Sequence, residues 1–197
     1  GDDLRVQADQ LQQFFSPRRK ELLQLIGLNP EIIPPNIDEV ARPAEAIDAF
    51  LKRVTIAKGI EVYKKKFFSH LLISADTVVL LDDSLISKPT NREDAFRMLN
   101  QLSGQRHEVL TGLALMYQGE TRFAISRTHV YFKQLHDREI NFYLDHENFI
   151  DKAGAYAIQG RAAIFVERID GCFFNVMGFP LNLFYRMLGE RGLDLYA

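Results

Sequence analysis

The segment Leu71–Leu81 reads Leu-Leu-Ile-Ser-Ala-Asp-Thr-Val-Val-Leu-Leu, and its apolar, β-branched character suits a buried strand. The turn-like Asp82-Asp83-Ser84 that follows would fold it into a hairpin. Strand-like and helix-period segments alternate with it along the whole length, and no low-complexity linker or internal repeat interrupts them. The 197 residues are therefore expected to form one α/β domain spanning 1–197. A chain of this length can bury roughly 70% of its unfolded surface, so it needs no disulfide or metal to hold it together. Cys172 is the only cysteine, which excludes an internal disulfide and a thiolate-rich zinc site.

The first helix is expected over 17–26, capped by Ser16, with Pro17 in its first turn, Leu22, Leu23, Leu25 and Ile26 on its apolar face, and Gly27 at its end. A short extended piece, Glu31-Ile32-Ile33, stops at Pro34-Pro35. A second helix should begin near Pro43, its face formed by Ala46, Ile47, Phe50, Leu51, Val54, Ala57 and Ile60. Thr90-Asn91-Arg92-Glu93 has the form of a capping box, opening a third helix with Ala95, Phe96, Leu99 and Leu102 inside and Ser103-Gly104 at its exit. Residues 106–117 and 121–133 read as a long antiparallel pair around Gln118-Gly119-Glu120. A helix with Ile140, Tyr143 and Leu144 on one face follows, then strands near 162–169 and 172–176 and a last helix opened by Pro180. The phenylalanines at 14, 15, 50, 96, 165, 173, 174 and 184 are expected in the core.

Two features conflict with ordinary packing rules. Ser16-Pro17-Arg18-Arg19-Lys20 puts three cations at the start of a helix, where the macrodipole disfavours each by about 0.3–1 kcal/mol. An anion bound there would resolve the conflict, because a hydroxyl, free backbone N–H groups and two guanidinium forks make a phosphate cradle. A solvated basic patch is the plain alternative. Asp76 is the second anomaly: apolar residues bracket it, and a buried carboxylate needs a cation, a metal or several donors, or else caps a neighbouring loop. Lys58 and Lys88 read individually as ordinary surface residues.

The formal net charge of −2 argues against a protein that coats nucleic acid or anionic lipid through its overall field, while leaving room for a local anion site. No segment approaches the ~18 apolar residues of a membrane span. The first residues also lack a signal-peptide layout, so the expected location is the cytoplasm. The histidines at 70, 107, 129, 136 and 146 show no ligand spacing, and are expected in solvent or satisfied polar roles. No P-loop, Rossmann glycine fingerprint or nucleophile elbow is present.

Taken in order, the pieces resemble the Maf family of nucleoside triphosphate pyrophosphatases, once described as septum-formation inhibitors. The matching blocks are Ser16-Pro17-Arg18-Arg19 with Lys20-Glu21-Leu22-Leu23, Asp38-Glu39, Arg53 with Ala57-Lys58, Ala75-Asp76-Thr77-Val78, and Lys88-Pro89. They continue through Leu102-Ser103-Gly104 with His107-Glu108-Val109 and Thr111-Gly112, Asp151-Lys152-Ala153-Gly154 with Ile158-Gln159-Gly160, and Asn175-Val176 with Gly178 and Pro180. The resemblance implies an elongated, two-lobed α/β fold of the Maf/inosine-triphosphatase kind, with a mixed twisted sheet flanked by helices, a central cleft and a homodimeric state. It implies that water attacks the α-phosphorus of a nucleoside triphosphate, with Mg2+ or Mn2+ present, releasing the monophosphate and pyrophosphate. Asp76 would be the proton acceptor; Ser16, Arg18, Arg19, Lys58 and Lys88 would hold the phosphates; Glu39 and Asp76 would serve the metal. Arg18, Thr77 and Gln159 resemble the branch acting on dTTP and UTP rather than on 7-methyl-GTP. A weakly active or inactive nucleotide-binding regulator linked to cell division is the other reading the family leaves open.

Residues 1–15 are atypical for this family, which ordinarily runs an apolar strand into the Ser-Pro-Arg-Arg block. Four glutamines and an aspartate among residues 6–15 make a central strand an unexpected outcome there. Ser87 and Ala157 stand where the family commonly has glycine, and would strain the backbone if either position required a positive φ.

Overall fold

The computed structural model describes residues 4–5, 11–13, 17–66 and 71–195. The expectations placed on Phe14, Phe15, Ser16 and His70 lie outside the described residues. In chain order the elements are β1 (Leu4–Arg5), β2 (Leu11–Gln13), α1 (Pro17–Leu25), β3 (Glu31–Ile32), α2 (Ile47–Lys66), β4 (Leu71–Leu81), β5 (Ser84–Ile86), α3 (Arg92–Leu102), β6 (Arg106–Tyr117), β7 (Glu120–Phe132), α4 (Asp137–His146), β8 (Val166–Asp170), α5 (Phe173–Val176), α6 (Leu181–Gly189) and β9 (Leu193–Asp194). The main sheet has the order β3-β2-β4-β6-β7-β8, with β5 paired to β4, and β1 and β9 form a separate parallel pair. The sheet is mixed: β2 runs parallel to both β3 and β4, whereas β4/β5 and β7/β8 are antiparallel. The structure thus has the mixed α/β architecture expected.

The strand Leu71–Leu81 and its hairpin form as read, with Leu81 opposite Ser84. The β6–β7 hairpin turns on Gln118 and Gly119, both at positive φ, the two-residue geometry whose twist matches the strands it joins. The first correction concerns β2. Leu11–Gln13 lies between β3 and β4 in the sheet, with Gln12 opposite both Glu31 and Leu72, although its composition argues against a central strand. Three residues need only backbone partners on each side, and those are supplied by β3 and by the buried end of β4.

Other departures follow from local chemistry. The second helix starts at Ile47 rather than near Pro43, because Ala44 takes a positive φ and Arg42–Glu45 closes a turn first. The cap of α3 is Asn91, one residue beyond the expected Thr90. Asn91 accepts from Asp94 N, while Asp94 accepts from Thr90 N and Oγ1. Met98 takes the inner position and Phe96 is half-buried. Leu25 is 71% exposed because α1 ends there in a Schellman turn, with Gly27 N–H to Gln24 O and Leu28 N–H to Leu23 O. Residues 161–165 form a 3-10 turn and 173–176 a short helix instead of strands. In the latter, the buried Asn175 donates to Val109 O and Thr128 Oγ1, and Phe173 turns outward while Phe174 is half-buried. Ile60, expected on the inner face of α2, is exposed. Neither Ser87 nor Ala157 takes a positive φ, so both substitutions for glycine are free of that strain.

The chain divides into two compact units interleaved in sequence: residues 1–76, 111–126 and 178–197 form one, and 77–110 with 127–177 the other. In the first, Val62, Leu72, Ala114 and Met116 pack together, flanked by Ile33, Ile56, Tyr63 and Phe123. Gly112 allows α2 to approach β6: a Cβ there would lie 2.7 Å from Thr55 Oγ1 and 2.9 Å from Leu51 Cγ. In the second unit, α3 packs on α4, and Tyr143, Phe165, Phe132, Tyr156 and His107 form a chain of edge-to-face rings.

His107 is 1% exposed, its Nε2 is 2.7 Å from Tyr156 Oη, and its Nδ1 has no hydrogen-bond partner. Burial pulls its imidazole down to about 4 and pushes the Tyr156 phenol up. Neutral His107 therefore contributes stability that is present above the ordinary histidine value of about 6.5 and is lost as pH falls toward 4, where the unfolded chain binds the proton first. Urea unfolding should show a loss of about 2 kcal/mol from this residue between pH 7 and pH 4.5. The corresponding drop should be smaller by that amount in His107→Leu; an unchanged pH profile in that variant would remove His107 as the source.

Candidate functional site

The central feature of the first unit is an ammonium group where the core should be. On α2, Phe50, Val54, Lys58 and Val62 recur every four residues, one side of the helix, and all are buried, Lys58 to 7% exposure. The expectation that Lys58 is an ordinary surface residue is therefore wrong, and the signal lay in that spacing. Its Nζ lies 2.6 Å from Asp76 Oδ1 and 2.9 Å from Glu39 Oε1. Side-chain exposure rises outward from Lys58 at 8% through Asp76 at 13% to Glu39 at 43%, so one lysine joins a strand carboxylate to a loop carboxylate at the solvent edge. Removing a lysine from water is costly unless it is paired and hydrogen-bonded, and two carboxylates meet that need.

Asp76 sits where β4 changes from fully buried to half-buried residues. The carbonyl of the preceding Ala75 accepts from Arg19 Nη1 at 2.7 Å, and Gly178 O accepts from Arg19 Nε at 2.8 Å. Arg19 thus ties the first turn of α1 to β4 and to the turn before α6. Burial pulls its guanidinium below the ordinary arginine value, while Asp76 and Glu39 pull it back up and Arg18 adds to the depression. One of the three cations at the helix start is accounted for in this way by backbone carbonyls and nearby carboxylates.

The structure brings together Arg19, Glu39, Lys58 and Asp76, all in the first unit. Arg18 is half-buried next to Arg19. Ser16 lies outside the described residues. Thr77, half-buried and adjacent to Asp76 in β4, belongs to the second unit, as do Lys88 and Gln159, both exposed. Gly154, in the loop before Gln159, donates its N–H to Ser87 O, next to Lys88.

A pair of oxygen ligands without histidine or cysteine suits a hard divalent cation, and magnesium is commonly held by one or two carboxylates with phosphates and water completing its shell. Glu39 and Asp76 fit that pattern, since both carboxylates reach the same point. Among the described residues no group of three or more His, Cys, Asp or Glu side chains could hold a metal without such help. Chemically, the arrangement can bind a polyanion, hold a cation beside it and present a carboxylate to water.

Comparison with known proteins matches residues 15–191 to the family model described as Maf-like protein. The dTTP/UTP pyrophosphatase of Syntrophomonas wolfei is 41% identical over 182 residues, covering 91% of this chain and 96% of that protein. The dTTP/UTP pyrophosphatase of Clostridium perfringens (strain 13) is 42% identical over 183 residues, covering 91% and 95%. That of Thermotoga maritima is 39% identical over 180 residues, covering 90% and 86%. Among solved structures, the Staphylococcus aureus Ham1 protein superposes with a TM-score of 0.50 at 13% identity, over 92% of this chain and 99% of that one, a likeness of fold.

The two arginines should separate in a stability measurement. Arg19→Met leaves two buried carbonyls without their charged donor and should cost about 2 kcal/mol in denaturant unfolding. Arg18→Met should stay within about 0.5 kcal/mol of the wild type. Equal costs would show that the Arg19 contacts contribute no more than a surface charge.

Proposed function

Because the chain belongs to the Maf-like protein family, we propose that it hydrolyses a nucleoside triphosphate, dTTP, UTP or a modified pyrimidine analogue, to the monophosphate and pyrophosphate. The observation that carries the proposal is the convergence of Asp76 and Glu39 on the buried Lys58 ammonium, in a chain about two-fifths identical to proteins bearing that name. Nothing in the fold or the comparisons favours a regulator without turnover.

In this reading Asp76 is the proton acceptor. A water oxygen attacks the α-phosphorus, the bond from that phosphorus to the bridging oxygen of the β-phosphate breaks, and pyrophosphate leaves with the electron pair. The proton released by the water passes to the Asp76 carboxylate. Lys58 orients that carboxylate through its 2.6 Å contact and supplies positive charge where the phosphate oxygens gather. Arg19, fixed by two carbonyls, adds a charge that does not have to be ordered on binding. Arg18 and Lys88 hold the remaining phosphate oxygens, with Ser16 as a hydroxyl donor. Mg2+ or Mn2+, bound by Glu39 and Asp76, would neutralise charge at the phosphorus and so lower its repulsion of the incoming nucleophile.

The base preference is assigned to Arg18, Thr77 and Gln159. An exposed amide such as that of Gln159 offers both a donor and an acceptor, as the edge of a pyrimidine requires.

Asp76→Asn should lower pyrophosphate release by about 1000-fold or more, given the ordinary contribution of a positioned base and the lost carboxylate charge, while nucleotide binding stays measurable. Full activity in that variant would remove Asp76 from the reaction. Across a panel of nucleoside triphosphates, dTTP and UTP should give the highest kcat/KM; faster turnover of 7-methyl-GTP would overturn the base assignment.

A further inference from the structure

Glu39 stands on a segment, residues 33–46, that has no helix or strand of its own. An exposed carboxylate on such a segment would ordinarily sample many positions, and ordering it would oppose metal binding. Here the segment lies antiparallel along α2 and is tied to it at successive points. Asn36 N–H donates to Glu61 Oε2 at 3.3 Å, and Lys58 Nζ holds Glu39 at 2.9 Å. Arg53 Nη2 donates to Val40 O at 3.0 Å, one residue beyond Glu39.

Arg53 is the strongest of these ties. Its Nε and Nη2 donate to Glu45 Oε1 and Oε2, each at 2.7 Å, a two-pronged pairing that only a guanidinium can make, while Nη2 also reaches Val40 O. Glu45 Oε2 accepts in addition from Arg42 N at 3.0 Å, so the carboxylate closes the turn that ends the segment. The Arg53 fork holds the Glu45 carboxyl down at about 2, with the Arg42 N–H as the next cause. The Arg53 guanidinium lies 5.5 Å from the Phe50 ring, one turn earlier on the same helix.

We infer that Arg53 and Glu45 are positioning residues for Glu39: the fork anchors the backbone immediately beyond it, so that its carboxylate is already directed at the Lys58–Asp76 pair before a divalent ion arrives. The inference rests on the assignment of Glu39 to the metal in the proposed function. It makes Arg53 and Glu45 determinants of metal affinity although neither touches the metal, in the way that partners of a ligand commonly tune a site.

The test is Mn2+ binding to the full chain in the presence of a nonhydrolysable dTTP analogue, read from the paramagnetic resonance of free Mn2+, in a double-mutant cycle of Arg53→Met and Glu39→Gln. Arg53→Met should weaken Mn2+ binding about tenfold. Added to Glu39→Gln it should weaken binding no further, because there is no carboxylate left to direct. An equal loss in both backgrounds, or no loss in either, overturns the inference. If Arg53→Met does not fold, Glu45→Gln takes its place in the cycle with the same expectation, and Arg53→Lys, which keeps the charge without the fork, should fail to restore affinity. Weakening by Glu39→Gln with none from Arg53→Met or Glu45→Gln defeats this inference alone. No weakening by Glu39→Gln defeats the metal assignment beneath it as well.

Discussion

A lysine placed in the buried stripe of a helix is tolerable only if its charge is met where it lies. Lys58 meets Asp76 from the sheet and Glu39 from the segment between β3 and α2, and three pieces distant in sequence are thereby held at one point. Removing either carboxylate leaves the ammonium with half its compensation, and removing the lysine sets two carboxylates against each other. Stability alone gives no reason to build this, since an apolar residue at 58 would continue the stripe of Phe50, Val54 and Val62 at lower desolvation cost. The proposed function gives that charge a use.

Arg19 solves a related problem from the other side. Three cations at a helix start oppose the helix dipole, yet Arg19 directs its guanidinium away from the helix to the carbonyls of Ala75 and Gly178. The carbonyl it holds on β4 belongs to the residue before Asp76, so the same contact that satisfies the arginine fixes the strand beside the Asp76 carboxylate. Helix start, strand and α6 turn are joined by one side chain, and in the proposed function the charge it carries is already in place for the phosphates.

Much of this was legible in the residues. The strand Leu71–Leu81 with Asp76 as its anomaly, the β6–β7 hairpin, the α4 face of Ile140, Tyr143 and Leu144, and the Pro180 helix start all follow from local pattern, and the structure has them. What escaped depends on distant partners. Nothing local marks Leu11–Gln13 as an inner strand, because its hydrogen bonds come from β3 and β4. Phe173–Val176 has strand-like composition, but buried Asn175 finds its partners on β6 and β7. Lys58 was hidden differently: residue type says surface while position says core, and only the four-residue spacing tells them apart. The Arg53–Glu45 fork closes across eight residues, from the end of a turn into the second turn of a helix, which no periodicity reveals.

The chemistry proposed for this geometry is attack of water at the α-phosphorus, with Asp76 receiving the proton. Turnover of dTTP in water enriched in oxygen-18, followed by phosphorus NMR of the products, tests it most directly. One labelled oxygen should appear on the phosphorus of the monophosphate and none in pyrophosphate. Label in pyrophosphate, or release of inorganic phosphate in its place, would contradict the account.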